Sequence, residues 1–147
     1  MSMFGALRIA ASGMAAERLR MDVTSANLAN ANSTRGTDGK PYQRQEVVLQ
    51  AGQGQSFDDV LNGVEVAGIV KDASPGRRVY DPSHPDADAQ GYVTLPNVSS
   101  VTEMTDLITE SRSYEANTQA MQTVVSQNGT SAKSDGSSVP FCTLQTS

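Results

Sequence analysis

The stretch TSANLANANSTRG, residues 24–36, lies where the first long regular segment of the chain ends. It contains Asn27, Asn30 and Asn32. Asparagine is unfavourable inside a helix and favourable at its end, because its side chain bonds nearby backbone groups. Two interpretations stay open: the asparagines end a helix, or the amides of Asn27 and Asn30, which share a helix face, set the register between neighbouring helices.

The segment before this stretch predicts a helix over residues 3–31, because it contains no proline and its apolar residues recur at alternating spacings of three and four. A second apolar stripe runs beside the first, and a helix that is apolar over two faces needs two neighbours. The large residues of the first stripe are Leu7, Met14, Met21 and Leu28.

The same spacing returns near the other end of the chain and predicts a second helix over residues 99–127. Ser99 or Ser100 is the predicted N-cap, and Glu103 stands at capping-box spacing from Ser100. The large stripe residues of this helix are Met104, Leu107, Tyr114 and Met121. Three asparagines are the candidate polar contacts between helices: Asn27, Asn30 and Asn117.

The residues between the helices are rich in glycine and proline and predict turns and short strands. Strands are expected over 42–50, 64–72 and 77–81, and Asp38-Gly39 favours a turn. The sequence predicts a mainly α, elongated fold with a β-rich insert and terminal helices paired as a coiled coil. The predicted regions are an N-terminal helix (1–31), a β-rich insert (32–98), a C-terminal helix (99–127) and a low-complexity tail (128–147).

Composition narrows the class of protein. Of the 147 residues only 37% are hydrophobic and 5% aromatic, with no tryptophan, which is little for a compact core. We therefore expect an elongated protein or one whose core is completed by partner chains. A net charge of −5 without a basic patch argues against nucleic-acid binding. Neither a membrane-spanning segment nor a cleavable secretory signal is expected.

The stretch YDPSHPDADAQGY, residues 80–92, holds the only histidine of the chain among aspartates and suggests two hypotheses. The first is a calcium- or metal-dependent binding module centred on Asp81–Asp88, although Asn97 stands where a calcium loop needs a bidentate glutamate. The second is a rigid polar connector, because residues before proline avoid the helical region and Asp and Gly favour turns. The connector residues are Asp81, Pro82, His84, Pro85, Asp86, Asp88 and Gly91.

Enzymatic activity is not expected. With one histidine, a histidine-based metal triad within a single chain is excluded, and a serine triad could be composed only by free choice among many serines. We predict no catalytic residues and no cofactor.

Five stretches resemble the bacterial flagellar rod and hook proteins, and most closely the proximal-rod members of that family. They are, in chain order, RLRMDVTSANLANANSTR (18–35), PYQRQEVVLQ (41–50), GVEVAGIV (63–70), YDPSHPDADAQGYVTLPNV (80–98) and EMTDLITESRSYEAN (103–117). The first contains the helix-end signature S-x-N-[LI]-A-N of the family, and residues 80–98 are the most diagnostic part.

The resemblance implies a structural subunit of the proximal rod, whose terminal helices pack against neighbouring subunits to form a tubular drive shaft for motility. The implied partners are copies of the chain, other rod subunits, the rod-adaptor protein, the surrounding basal-body rings and the flagellar type III export apparatus. The implied location is the rod within the periplasm, reached without a cleaved signal peptide. One departure is that family members continue the apolar pattern nearly to the C-terminus, whereas here it stops near Val125.

Overall fold

The structure is a computed structural model that describes residues 3–36, 38–51 and 63–134 and, in the last helix, side chains as far as residue 127. The elements are α1 (Met3–Ala29), β1 (Gln45–Ala51), β2 (Val64–Lys71), β3 (Arg78–Tyr80), β4 (Tyr92–Thr94) and α2 (Ser100–Ser134). The prediction of two terminal helices with small β-hairpins between them is confirmed.

The C-terminal end of α1 is completed by Asn30. Its backbone N–H and its Nδ2 both donate to the Ala26 carbonyl, at 3.1 and 2.9 Å, and its Oδ1 accepts the Ser33 hydroxyl at 3.2 Å. These bonds satisfy groups that a helix end leaves open. For Asn30, helix termination is therefore the role that the structure shows.

The two helices pack side by side and run antiparallel. Met14 Sδ on α1 accepts a hydrogen bond from the Thr118 hydroxyl at 3.4 Å, whereas Thr24, further along α1, contacts Glu110, which comes earlier in α2. Later residues of α1 thus contact earlier residues of α2, as antiparallel packing requires. Ala16 and Val23 are the buried apolar residues of α1.

Gly13 permits a close approach between the helices. A Cβ at this position would lie 3.0 Å from Nδ2 of Asn117, so the Asn117 side chain occupies the space that a side chain at position 13 would need. Asn117 therefore packs within the chain, against the backbone of α1.

β1 and β2 form an antiparallel hairpin in which Gln45 is opposite Lys71 and Ala51 is opposite Val64. The register shifts between Val48 and Leu49, so the hairpin contains a β-bulge there. β1 begins three residues later than predicted and ends one residue later. β2 begins where predicted and ends one residue earlier.

This hairpin is attached to α1 at the start of β2. The Val64 N–H donates to Ser12 Oγ at 3.1 Å, and the same hydroxyl donates to the Ile9 carbonyl at 2.8 Å. Gly63 makes the contact possible: its φ is +84°, and a Cβ would lie only 2.0 Å from Ser12 Oγ.

β3 and β4 form a second antiparallel hairpin, with Arg78 opposite Thr94 and Tyr80 opposite Tyr92. β3 lies within the strand predicted over 77–81, whereas β4 was not predicted as a strand. The two hairpins are separate two-stranded sheets.

The described interior contains as many buried polar side chains as buried hydrophobic ones. Its buried hydrophobic residues are small or medium in size, and the largest fully buried side chains are Asn27 and Glu103, at 1% and 0% exposure. The buried hydrophobic residues are Ala16, Val23, Ala31 and Val93. Polar bonds, rather than apolar volume alone, therefore determine how the elements pack.

Asn27 uses its full hydrogen-bonding capacity. Its Nδ2 donates to the Gln45 carbonyl at 2.8 Å and to Glu103 Oε2 at 3.0 Å. Its Oδ1 accepts the Gln45 N–H and the Tyr42 hydroxyl, each at 2.9 Å. One amide thus joins α1, the start of β1 and the first turns of α2.

Arg44 completes this cluster. Its Nε donates to Glu103 Oε1 at 2.6 Å and its Nη2 to Asp106 Oδ2 at 3.3 Å. Its backbone N–H donates to Asn97 Oδ1 at 2.8 Å, and Asn97 Nδ2 donates to the Asp72 carbonyl at 3.2 Å. The buried Glu103 carboxylate is therefore paired, which its burial requires.

The N-cap of α2 is Ser99. The Thr102 N–H donates to Ser99 Oγ at 3.4 Å, and the Glu103 N–H donates to the Ser99 carbonyl at 3.0 Å. The predicted capping box between Ser100 and Glu103 is wrong, because the Glu103 side chain is directed inward to the polar cluster.

α2 is longer than predicted and continues to Ser134, past residue 127. No proline lies between Ser100 and Pro140, so the backbone hydrogen bonding of the helix continues although the apolar pattern has stopped. The rest of the predicted tail, residues 135–147, lies outside the described residues.

We expect Asn27→Ala to lower the free energy of unfolding by at least about 2 kcal/mol, because it leaves buried donors and acceptors on two elements without partners. Asn30→Ala is the matched control and should cost less than about 1 kcal/mol, since its bonds lie at one helix end. Urea denaturation followed by circular dichroism measures both. Equal losses would contradict the central role of Asn27.

Gly13→Leu should destabilise the helix pair by about 1–3 kcal/mol, because the side chain must displace Asn117. Gly5→Leu is its control, since no atom lies within 4 Å of a Cβ built there. The comparison is made by thermal melts of the two purified variants. Leucine favours the helix more than glycine does, so Gly5→Leu should lose no stability, and a loss as large as that at Gly13 would contradict packing against Asn117 as the cause.

Candidate assembly surface

Large apolar side chains lie on the surface of this chain, whereas its interior contains polar side chains. On the helices the exposed fractions are 76% for Phe4 and Val101, 53% for Met104 and 56% for Ile108 and Val125. On the β1–β2 hairpin the exposed large apolar residues are Val48, Val64, Ile69 and Val70. Extensive exposed apolar surface of this kind marks protein–protein contact sites.

Val101, Met104 and Ile108 form one outward face of α2. Their spacings of three and four place them on the same side of the helix. Glu103 and Glu110 lie on the other side, where they bond residues of α1. We call these three exposed residues the outer face of α2.

None of the eight predicted stripe residues is fully buried in the subunit. Met104 is exposed and the other seven are half-buried: Leu7, Met14, Met21, Leu28, Leu107, Tyr114 and Met121. Each of these seven keeps part of its area accessible beside the helix pair.

The face that α2 turns to α1 contains Glu103, Glu110 and Asn117. Sequence reasoning missed the two glutamates, together with Tyr42 and Arg44, as interior residues. A signal was available, because the three α2 residues recur every seven positions.

Among the predicted polar contacts between helices, Asn27 acts inside the chain. All four positions of its amide are occupied by Tyr42, Gln45 and Glu103. Its hydrogen-bonding capacity is therefore used within the subunit.

The predicted connector is the loop of the β3–β4 hairpin, residues 81–91, and not an extended link to the second helix. Asp81 Oδ1 accepts the Ser83 N–H and hydroxyl at 3.1 and 2.6 Å, so a turn forms at Pro82. At the other end of the loop Gly91 has a φ of +81°, and a Cβ there would lie 2.9 Å from the Tyr80 ring.

Asp88 and the aromatic pair close this loop. Asp88 Oδ1 accepts the N–H groups of Gln90 and Tyr92, each at 2.9 Å, and Oδ2 accepts Arg78 Nη2 at 2.7 Å. Arg78 also lies over the Tyr92 ring at 4.8 Å, and Tyr80 meets that ring edge-on at 5.3 Å. The backbone bond from Tyr92 lowers the pKa of Asp88 below its ordinary value of 3.8.

Asp86 fastens the loop to the segment that follows α1. Its Oδ2 accepts the Thr34 hydroxyl at 2.8 Å, and its Oδ1 accepts Arg35 Nη2. The bond from Thr34, followed by the charge of Arg35, lowers the pKa of the Asp86 carboxyl. The His84 ring accepts the Asp86 N–H through Nδ1 at 3.1 Å.

The metal hypothesis finds no ligand set in this loop. Over residues 3–36, 38–51 and 63–134, no group of three or more His, Cys, Asp or Glu side chains comes together around a possible metal position. The aspartates of the loop instead bond hydroxyl, backbone and guanidinium donors of this chain.

A polar cavity of about 340 Å³ lies between α1, β1 and α2. Glu110 lines it and is 3% exposed. Its Oε1 accepts the Thr24 hydroxyl at 3.1 Å and lies 3.5 Å from Arg20 Nε, whereas its buried Oε2 has no hydrogen-bond partner among the described residues. Burial raises the pKa of Glu110 above its ordinary value of 4.5, against the opposing effects of Thr24 and Arg20.

This pKa shift predicts a pH-dependent cost. A carboxyl whose pKa is raised in the folded state binds its proton more tightly there, so stability is lost as pH rises from 4.5 through the raised pKa. Glu110→Gln stays neutral and should be more stable than wild type at pH about 7, with the difference vanishing below pH about 4. Thermal melts across this pH range test it, with the exposed Glu115→Gln as control. A difference that is constant with pH would contradict the ionisation as its source.

In the part of the chain that the structure describes, no helix is long and apolar enough to cross a membrane.

Comparison with known proteins agrees with this architecture. The family model described as "Flagella basal body rod protein" matches residues 7–36, and the one described as "Flagellar basal body rod FlgEFG protein C-terminal" matches residues 89–131. The two matches cover α1 with its asparagine-rich end and most of α2.

Relatives match across both helices and the insert. The flagellar basal-body rod protein FlgC of Bacillus subtilis is 46% identical over 136 residues, which cover 82% of this chain and 90% of the relative. The FlgC proteins of Borreliella burgdorferi (44%; 80% of this chain, 87% of the relative) and Aquifex aeolicus (42%; 82% and 87%) match similarly. The predicted resemblance is confirmed, and the chain belongs to the family of flagellar basal-body rod proteins FlgC, as a structural subunit of the rod.

Proposed function

We propose that this subunit joins the proximal rod by burying its exposed helix faces against the helices of neighbouring subunits. The observation that carries the proposal is the outer face of α2, where Val101, Met104 and Ile108 are each more than half exposed. Burying the area that these side chains still expose stabilises an association by on the order of 1–2 kcal/mol each. A monomer gains nothing from this face.

The terminal helices pair as a coiled coil in the assembled rod. The half-buried stripe residues support this: they border the contact between α1 and α2 and keep accessible area for a second neighbour. Asn27 and Glu103 support it as well, because a satisfied polar pair at the seam specifies one register between helices. The eight stripe residues complete their burial when subunits meet.

The remaining partners follow from the assembly. The rod contains copies of this chain and other rod subunits, and meets the rod-adaptor protein and the surrounding basal-body rings within the periplasm. The chain reaches that position unfolded, through the flagellar type III export apparatus and without cleavage of a signal. The small apolar core among the described residues supports this route, because a marginal fold is easily held open before export. Its role there is a mechanical one in the drive shaft, and it has no enzymatic step.

We expect Ile108→Asp to abolish or strongly reduce rod incorporation, because it places a charge on a face that becomes buried. Its effect on the isolated subunit should be within about 0.5 kcal/mol, since Ile108 is 56% exposed there. The measurement is motility and basal-body composition in a strain that lacks its own copy of this subunit and expresses the variant.

Thr109→Asp is the matched control, because it adds the same charge at the adjacent exposed position, outside the outer face of α2. Normal rods with Ile108→Asp, or equal loss with both variants, would refute the proposed face. Failure of the wild-type chain to enter rods in the same strain would refute the proposed function itself.

A further inference from the structure

We propose that the polar cavity between α1, β1 and α2 receives a basic side chain, lysine or arginine, from a neighbouring rod subunit, and that this side chain pairs with Glu110. The proposal rests on the assembly into the rod proposed above. It names a chemical partner for a site that is separate from the outer face of α2.

The first argument is the unpartnered oxygen. Glu110 is 3% exposed, and its Oε2 is buried without a donor among the described residues, while Thr24 and Arg20 lie near Oε1. A buried carboxylate oxygen without a donor is costly, and native structures rarely leave one so. The oxygen belongs to a residue that lines an open volume of about 340 Å³, so a donor has room to reach it.

The second argument is the balance of charge around the cavity. Two guanidinium groups, those of Arg20 and Arg44, line it. Three carboxylates line it as well, and each forms an ion pair with one of these guanidinium groups: Glu46, Asp106 and Glu110. One further cation therefore reduces an acidic excess, and electrostatic complementarity of this kind selects the partner.

The third argument is the shape and lining of the site. Glu46 and Asp106 have side chains 66% and 39% exposed, so carboxylates are accessible at the edge, whereas Glu110 is buried. Apolar wall is supplied by Val23, Val47 and Leu49. The apolar wall suits the methylene stem of lysine or arginine, and the carboxylates at the edge and in the interior of the cavity suit its charged end.

A bare metal ion fits less well. Arg44 Nη2 lies 3.3 Å from Asp106 and Arg20 Nε lies 3.5 Å from Glu110, so positive charge already stands beside both carboxylates. No group of three metal-ligating side chains is found among the described residues. A side chain that brings its own hydrogen-bond donors satisfies Glu110 Oε2 without requiring such a set.

The test is incorporation of Glu110→Gln into rods, in a strain that lacks its own copy of this subunit. The variant keeps an acceptor for Thr24 and removes the charge, and its fold is verified by thermal melting of the purified chain. We expect rod incorporation, measured against an internal rod subunit, to fall at least about tenfold while the melting temperature stays equal or rises. Glu115→Gln, an exposed glutamate on the same helix, should incorporate like wild type.

A second measurement identifies the partner directly and does not depend on the folding of Glu110→Gln. A photoreactive diazirine amino acid replaces Val47, which lines the cavity, and cross-linked peptides from purified basal bodies are sequenced by mass spectrometry. We expect cross-links to a neighbouring chain within a few residues of a lysine or arginine. Cross-links only within the chain, or only to a segment without a basic residue, would overturn the proposal.

The outcomes separate the two levels of inference. Wild-type rods together with unchanged incorporation of Glu110→Gln would overturn the basic-side-chain proposal alone. Absence of the wild-type chain from rods would overturn the proposed function, and this inference with it.

Discussion

The packing of this subunit depends on the amide of Asn27. A buried amide must satisfy two donors and two acceptors, and Asn27 does so with Tyr42, Gln45 and Glu103. Because these partners lie before and within β1 and in the first turns of α2, the bonds exist only when hairpin and helices have met in one arrangement. Apolar contacts among small residues such as Ala16 and Ala31 could tolerate a slip along the helix; the hydrogen bonds cannot.

This polar interior has a counterpart on the surface. The apolar residues that a self-sufficient domain would bury are divided between half-buried stripes and the exposed outer face of α2. Because little apolar area is buried among the described residues, we expect a small free energy of unfolding for the isolated subunit. The division agrees with membership of a family of rod proteins, since exposed apolar surface of this kind marks protein–protein contact sites.

The helices and three of the four strands could be predicted because apolar periodicity and turn signals survive in a single sequence. The face of α2 that packs against α1 could not be predicted. Glu103 and Glu110 are buried there because they bond Arg44 and Thr24, which are remote in sequence. The same limitation affected the cluster of aspartates in residues 80–92, where Thr34 and Arg35 complete the bonds of Asp86. Periodicity reports which residues are apolar, whereas the burial of a charge depends on a tertiary partner that local patterns do not contain.

The β-rich insert is bonded to the first helix and its extension at three successive places, Ser12 with Val64, Asn27 with Gln45, and Thr34 with Asp86. Two of these places hold the β1–β2 hairpin and the third holds the loop of the β3–β4 hairpin, so each of the two sheets is bonded directly to the first helix or to its extension. A torque applied to the helices therefore reaches both hairpins through these hydrogen bonds as well as through the covalent chain.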